Sequence, residues 1–517
     1  MLWAPNPTRR PRRAVVLVAA TVAVGVLAAC EPTPPAPSTT TTTMTTAPTT
    51  TTTLAPKGAL APVEVHPTPG RRLQPGEVGV LAANAGWCWW QSQRAVIAGH
   101  TLLVGSVPNP SAAGGATDVS QVLGLDLATG AITSTDLSTN PYRNDDHNSP
   151  GLVVDPDGSV TAGWTGHNND GTLRFASTAP GSPTAWQRAP DVVLPDLPAP
   201  ARTSYVNLVR SQGLLFAFTR YNGRDRALWS ADDGATWTGG WLLTGGPLDP
   251  DGTSPVRPYV QFAANPAKDR IDFVASTGHP KDTVRNALFS GYIRDLQVYR
   301  TDGTLVGPLA TGEGYRPDQL TPIAAPTGPA RPDVAAPYDQ PDLWGSDLRV
   351  DAAGDPVVAY SLRTPDPSPA RAGAFAHEYW WARWDGTTWT NRRLGAAGSE
   401  LFASERDYTG LATLDPTDPY RVVASSDVSP VTGEPLVSRA DGKVHWELYE
   451  ARSTDAGATW TWRAITANSA EDNLRPLLAA GDGTTALVWL RGRYRSWLNW
   501  TTRALVVLGP PKTTALR

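Results

Sequence analysis

The sequence predicts an all-β chain: a seven-bladed β-propeller of four-stranded blades, its ring closed by N- and C-terminal strands. Three observations predict it. A strand-turn-strand pattern recurs seven times, one turn motif occurs twice at full length, and the composition is hostile to helices. Of 517 residues, 47 are Gly and 49 are Pro, residues that weaken or break helices. Hydrophobic residues make up 40% of the chain and include 20 Trp, enough to bury a core. The net charge of −4 excludes a generally basic nucleic-acid binder, so no nucleic-acid partner is expected.

The first 29 residues read as a targeting segment rather than structure. Arg9, Arg10, Arg12 and Arg13 form its charged start, and Ala14 to Leu27 its apolar stretch of 14 residues, short for a membrane span. It ends in Leu27-Ala28-Ala29-Cys30, which resembles a bacterial lipobox. Cleavage there makes Cys30 the new N-terminus and its lipidation site. The expected location is therefore outside the cell, lipid-anchored to the outer face of the bacterial cell membrane. Residues 30–56, dominated by Thr and Pro, cannot bury a core and form a disordered tether. The propeller then occupies 57–517. Cys88 is its only cysteine, so no disulfide forms within it.

The seven hairpins begin at Arg94, Gly151, Val206, Val260, Leu348, Leu411 and Leu477, with spacings of 57, 55, 54, 88, 63 and 66 residues. Each pairs two β-rich runs through a turn such as Asp155-Pro156-Asp157-Gly158 or Gln212-Gly213. A repeat of this length in an all-β chain is that of propeller blades. The long interval of 88 holds a Pro-rich insertion, roughly 307–341. Little chain follows Leu508, so the last blade takes its outer strand from the segment before Arg94.

Ser230-Ala231-Asp232-Asp233-Gly234-Ala235-Thr236-Trp237 fits the Asp-box pattern S-x-D-x-G-x-T-W, and so does Ser453 to Trp460. Trp384 to Trp389 is a degenerate copy. In such a turn Asp bonds backbone amides, Gly takes a positive φ, and Trp packs between blades. These turns specify fold and lie away from the chemistry.

In each blade the residue before the first strand and the residue after the second face the same mouth of the channel. Those positions hold His147 and His167 in blade two, Tyr205 and Arg220 in blade three, and Tyr259 and His279 in blade four. Three of the chain's seven histidines therefore converge on one mouth with two tyrosines and an arginine, a place where ligands bind. The histidines, with Cys88, also suit zinc, but no H-x-H or C-x-x-C spacing supports it. No cofactor is predicted, although the pattern leaves room for a structural metal ion.

The segments Gly86-Trp87-Cys88-Trp89-Trp90, Asp145-Asp146-His147-Asn148, Gly166-His167, Ser204-Tyr205, Thr277-Gly278-His279-Pro280, Tyr299 to Thr304, Asp407 to Gly410 and Trp489 to Tyr494 resemble the BNR-repeat (Asp-box) family that contains the seven-bladed ulvan lyases. The resemblance spans about 87–508. It implies a polysaccharide lyase, a carbon-oxygen lyase that cleaves a uronic-acid-containing polysaccharide by β-elimination. Arg220 would neutralise the uronate carboxylate as a bidentate cation. Tyr205 and His147 match the family's proton-transfer pair, with the tyrosine pKa expected to be lowered by the neighbouring cations. His167, Tyr259 and His279 would bind substrate, with Tyr292 a further candidate. The expected partner is an anionic polysaccharide, met by a monomer held to the membrane through its N-terminal lipid.

Two rival readings follow from the same residues. A non-catalytic glycan-binding propeller would use the same aromatic and arginine rim. A sialidase-type glycoside hydrolase is suggested by the Asp boxes, but the chain lacks any Arg-Ile-Pro motif. For the leader, Cys30→Ala should release the protein into the medium or leave it unprocessed. Fractionation that finds the variant membrane-bound at mature size would refute the lipobox reading.

Overall fold

Short runs rich in Val, Leu, Ile and aromatic residues, cut by Gly, Asn and Asp turns, fold into seven antiparallel sheets. The computed structural model describes residues 64–66, 71–109, 119–139, 145–193, 202–247, 254–309 and 312–516. All belong to the unit Thr52–Arg517. The leader, Cys30 and the Thr/Pro-rich tether lie outside the described residues.

The innermost strands of the blades are, in order, Ala95–Ala98, Gly151–Val154, Thr203–Ser211, Val260–Ala264, Asp342–Val350, Ala412–Leu414 and Asn473–Gly481. Each packs on the next, and Asn473–Gly481 packs on Ala95–Ala98, so the seven-bladed all-β ring is complete. The expected closure is present. Val78–Ala82 pairs antiparallel with Asn499–Leu508, placing Val78 opposite Val507 and Val80 opposite Leu505. Thr514–Ala515 then adds to blade six, beside Thr461–Ala464, a strand not anticipated from the sequence. The insertion after blade four is also more structured than its proline content suggests. Thr321–Ala324 pairs with Leu288–Arg294, and Tyr315 bridges Leu243 of blade three.

Both full Asp boxes close as expected. Asp232 accepts the backbone N–H of Thr236 at 2.8 Å and its hydroxyl at 2.6 Å, and Asp455 treats Thr459 alike at 2.9 and 2.5 Å. Gly234 and Gly457 take the positive φ the turn requires, +92° and +86°. Trp237 stacks on Phe175 of blade two and Trp460 meets Trp381 of blade five, so each box fastens its blade to the preceding one.

Between the closing strand and blade one, Gly86 to Ser92 crosses the central channel. It touches every blade. Gly86 accepts from Val107 N–H in blade one, and Gln91 Nε2 donates to the His147 carbonyl beside blade two. Ser92 N–H donates to Asn207 of blade three, and Trp90 packs on Tyr259 of blade four. Trp89 meets Trp344 of blade five and Tyr408 before blade six, while Trp87 Nε1 donates to the Arg475 carbonyl of blade seven. Trp87, Trp89 and Trp90 are buried. Beyond this crossing, toward the hairpin turns, a cavity of about 480 Å³ is lined by Ile97, Val154, Phe262 and Ala480 among others.

Trp89→Ala should cost about 3–5 kcal/mol, because the crossing segment cannot collapse into the space left. Denaturant unfolding tests this; a loss below about 1 kcal/mol would show that the plug does not bind the blades together.

Candidate functional site

The six residues expected at one mouth are brought together. A short 3-10 turn, Asp146–Asn148, precedes the inner strand of blade two, and Asp145 caps it by accepting His147 N–H. This turn aims His147 at the axis. Its ring stacks on His167 at 4.1 Å and lies 5.4 Å from Tyr205. Tyr205 lies 6.0 Å from Tyr259, and Tyr259 lies 5.3 Å from His279. Arg220 places its guanidinium over both phenol rings, 4.8 Å from Tyr205 and 4.6 Å from Tyr259. All six residues thus form one continuous cluster, each no more than 7% exposed.

Tyr205 reaches the cluster through a β-bulge. The pairing of blade three's first two strands slips between Ser204 and Asn207, and Tyr205 has a φ of +65°. Such bulges re-aim side chains at functional sites.

Protons are unevenly shared. Asp145 takes both imidazoles, His147 Nδ1 at 2.6 Å and His167 Nδ1 at 2.8 Å. Burial opposes a charge on His147. The carboxylates of Asp145 and Asp146 outweigh it and hold the pKa well above the ordinary value. His167 goes the other way: burial, aided by the charge on His147, brings it down to about 4 against the pull of Asp145. At neutral pH the stacked pair therefore carries one imidazolium, on His147, and one neutral ring, on His167. His279 is neutral too, pulled down by burial and by Arg257 and Arg220, with Nδ1 accepting Lys281 N–H at 3.1 Å.

Arg220 keeps its charge available. Its cross-strand neighbour is Asp225, which burial pushes up to about 8, so this acid is mostly protonated at neutral pH. One Arg220 nitrogen, Nη1, is buried without a hydrogen-bond partner among the described residues.

Residues 118–397, more than half of the chain, match the model of the BNR repeat-containing family. The chain belongs to that family. No curated protein sequence matches it. Among solved structures it resembles a PL25 ulvan lyase, a polysaccharide lyase bound to -[GlcA(1-4)Rha3S]-. That likeness has 12% identity and a TM-score of 0.55 over 82% of this chain and 94% of the other. The polysaccharide lyase Uly1 is similar at 12% identity, with a TM-score of 0.50 over 83% and 90% of the two chains. At such identity the likeness is one of fold.

Within this BNR-repeat propeller two expectations need correction. Tyr292 does not join the cluster. It lies on the third strand of blade four, stacked on Tyr299 at 4.9 Å with Arg270 5.0 Å from its ring. Strand three stands off the axis, and the rule placing residues at the mouth applies only to the first two strands. Nor is the Tyr205 pKa lowered. Burial raises it well above the ordinary phenol value, and the charge of Arg220 does not offset this.

Other residues of the site escaped the rim rule. Asp145 and Asp146 stand directly before His147 in the sequence, a signal for a carboxylate-held imidazole, but their geometry depends on the turn. Trp497, at the tip of blade seven's long hairpin, sets its edge toward His147 and His167 at 5.5 and 5.9 Å. Nothing in its local sequence announces that. Cys88, Asp146 and His147 bring donor atoms close together, as do Asp145, His147 and His167. The Nδ1 atoms of both histidines pair with Asp145, His147 Nδ1 also lies close to Asp146, and Asp146 holds Arg475 at 2.6 Å. A second cation at the Cys88–Asp146–His147 set would compete with that guanidinium, and one at the Asp145–His147–His167 set would have to displace the Nδ1 protons directed at Asp145.

Asp145→Asn should destabilise the protein by about 3–5 kcal/mol, the cost of leaving a buried charge without its partner. The low pKa of Asp145 contributes stability above the ordinary carboxylate range. The raised pKa of His147 contributes fully below about 6.5 and is lost as pH rises through its folded value. The loss should therefore be largest near pH 5 and shrink in alkaline solution, as read by urea unfolding across pH.

Proposed function

We propose that this propeller is a polysaccharide lyase acting on a uronic-acid-containing, anionic polysaccharide by β-elimination. The observation that carries the reading is the stacked His147–His167 pair, sharing Asp145 and facing Tyr205 beneath Arg220. It supplies two cations, one neutral base and one proton donor within a few ångströms, which is what the reaction needs. The fold shared with a ulvan lyase bound to a glucuronate-containing oligosaccharide supports the choice of substrate class.

A C5 proton is acidic only when the adjacent carboxylate is neutralised. Arg220 and the His147 imidazolium take that task, the first as a flat two-donor cation. His167 is the group of the set in base form; its Nε2, which accepts the Asn168 side-chain amide at 2.9 Å, takes the C5 proton as that amide gives way. The C5–H electrons form the C4–C5 double bond as the C4–O bond breaks. Tyr205, kept protonated by burial, gives its proton to the departing oxygen. Solvent returns the proton from His167 to Tyr205. Tyr259 and His279 wall the sugar, and export with a lipid on Cys30 would place the propeller on the cell surface as a monomer.

A screen of uronate polymers for the ultraviolet absorbance of unsaturated uronyl ends tests the reading. Tyr205→Phe should lower kcat by about 10²- to 10⁴-fold with binding nearly intact, and Arg220→Lys should also impair turnover severely. A polymer that is bound but never yields unsaturated product would instead make this a glycan-binding propeller.

A further inference from the structure

Asp146 is held through its backbone and one carboxylate oxygen, although it does not face the mouth directly. Its backbone N–H donates to the Trp497 carbonyl at 3.0 Å, and its carbonyl accepts Cys88 N–H at 3.1 Å. One carboxylate oxygen lies 2.9 Å from His147 Nδ1 as an ion pair, while the Nδ1–H hydrogen bond itself goes to Asp145 at 2.6 Å. The other accepts Arg475 Nη1 at 2.6 Å and the Tyr494 hydroxyl at 2.5 Å. Arg475 and Tyr494 also bond each other at 2.8 Å, with the guanidinium 4.0 Å over the phenol ring, and Arg475 Nη1 donates to the Trp87 carbonyl.

These two residues come from blade seven. Arg475 sits in a bulge of the inner strand, at a φ of +52°. Tyr494 sits on Thr484–Ser496, a 13-residue strand, much longer than its counterpart Val160–Thr165 in blade two. The extra length carries the hairpin tip across to the turn that bears His147. Arg475 is 1% exposed and Tyr494 4%, so neither meets substrate. Buried polar groups in such networks fix the orientation of the group they surround.

We infer that Arg475 and Tyr494 are positioning residues that lock the Asp146 carboxylate, and through it the His147 ring, in the orientation used at the mouth. This rests on the lyase reading for its effect on turnover, while the locking stands on the contacts themselves. The groups facing His147 are Asp145, Asp146, His167, Tyr205, Trp497 and Cys88. Without the lock, the Asp146 carboxylate turns toward whichever cation remains and the imidazole gains freedom.

Tyr494→Phe removes one hydroxyl and keeps the ring, and Arg475→Lys keeps the charge but not the fork. The first readout is the downfield proton resonance of His147 Nδ1–H in full-length protein, assigned with His147→Gln. It should be sharp in the parent and broadened or absent in Tyr494→Phe at a melting temperature within a few degrees of the parent. Arg475→Lys should restrain it partly. The second readout is turnover, where kcat should fall about tenfold to a hundredfold with KM nearly unchanged. If the resonance and kcat are unaltered in both folded variants, the inference is wrong. If Tyr494→Phe fails to fold, Arg475→Lys alone decides, and an unaltered resonance there overturns the proposal. If the parent turns over no uronate polymer, the lyase reading fails, and the resonance still decides whether the lock exists.

Discussion

Seven blades leave a channel along their axis, and here one short segment, Gly86 to Ser92, fills it. Its three tryptophans and the polar groups of Gln91 and Ser92 make contact with every blade in turn. The segment is also the link between the closing strand and blade one. Ring closure and channel filling are therefore one constraint. Stretching the crossing would shift Val78–Ala82 against Asn499–Leu508, and loosening it would remove the floor on which the mouth residues stand. Trp90 supports Tyr259, Gln91 holds the His147 carbonyl, and Trp87 is bound to Arg475. Large aromatics suit this role because each buries much surface at little entropic cost.

Above that floor, burial decides the protonation states. Six polar side chains packed so closely cannot all be charged. Asp145 and Asp146 fix one proton on His147, and burial, aided by that charge, keeps His167 neutral. Asp225 stays largely protonated beside Arg220, so it does not neutralise the guanidinium, whose hydrogen bond goes to Tyr259. The arrangement leaves net positive charge facing a mouth walled by tyrosines. Under the proposed lyase reading, the charges of Arg220 and His147 meet the uronate without rearranging.

Much of this was legible in the sequence because propellers are built by repetition. Each hairpin declares itself through turn residues, and the position of a residue relative to its hairpin gives its rim. His147, His167, Tyr205, Arg220, Tyr259 and His279 were all placed at one mouth on that basis. What stayed hidden was non-repetitive. The crossing of Gly86 to Ser92 has no counterpart in other blades, and the reach of the Thr484–Ser496 hairpin to blade two depends on its length and twist. Tyr292 was misplaced because its strand order, not its residue type, decides its distance from the axis. The Tyr205 pKa is raised rather than depressed because the burial that brings it beside Arg220 outweighs the cation's charge.

The positive-φ residues join fold and site most directly. Tyr205, Leu411 and Arg475 each stand at or near the start of an inner strand with φ between +52° and +74°, a conformation that costs a non-glycine residue about 1–3 kcal/mol. Glycine would relieve the cost at any of them. Yet two of the three carry the phenol and the guanidinium that the mouth and its support require, and the third packs in the same core as the crossing segment. A bulge at the strand's entry turns the side chain from the sheet face toward the axis, which regular pleating cannot do. At Arg475 the strain is tolerated because bonds to Trp87 and the ring of Trp89 over-determine its position, while Tyr205 and Leu411 share the core cluster of the crossing segment. The plug thus holds the blades together and also holds the entry bulges in the conformation that aims their side chains at the site.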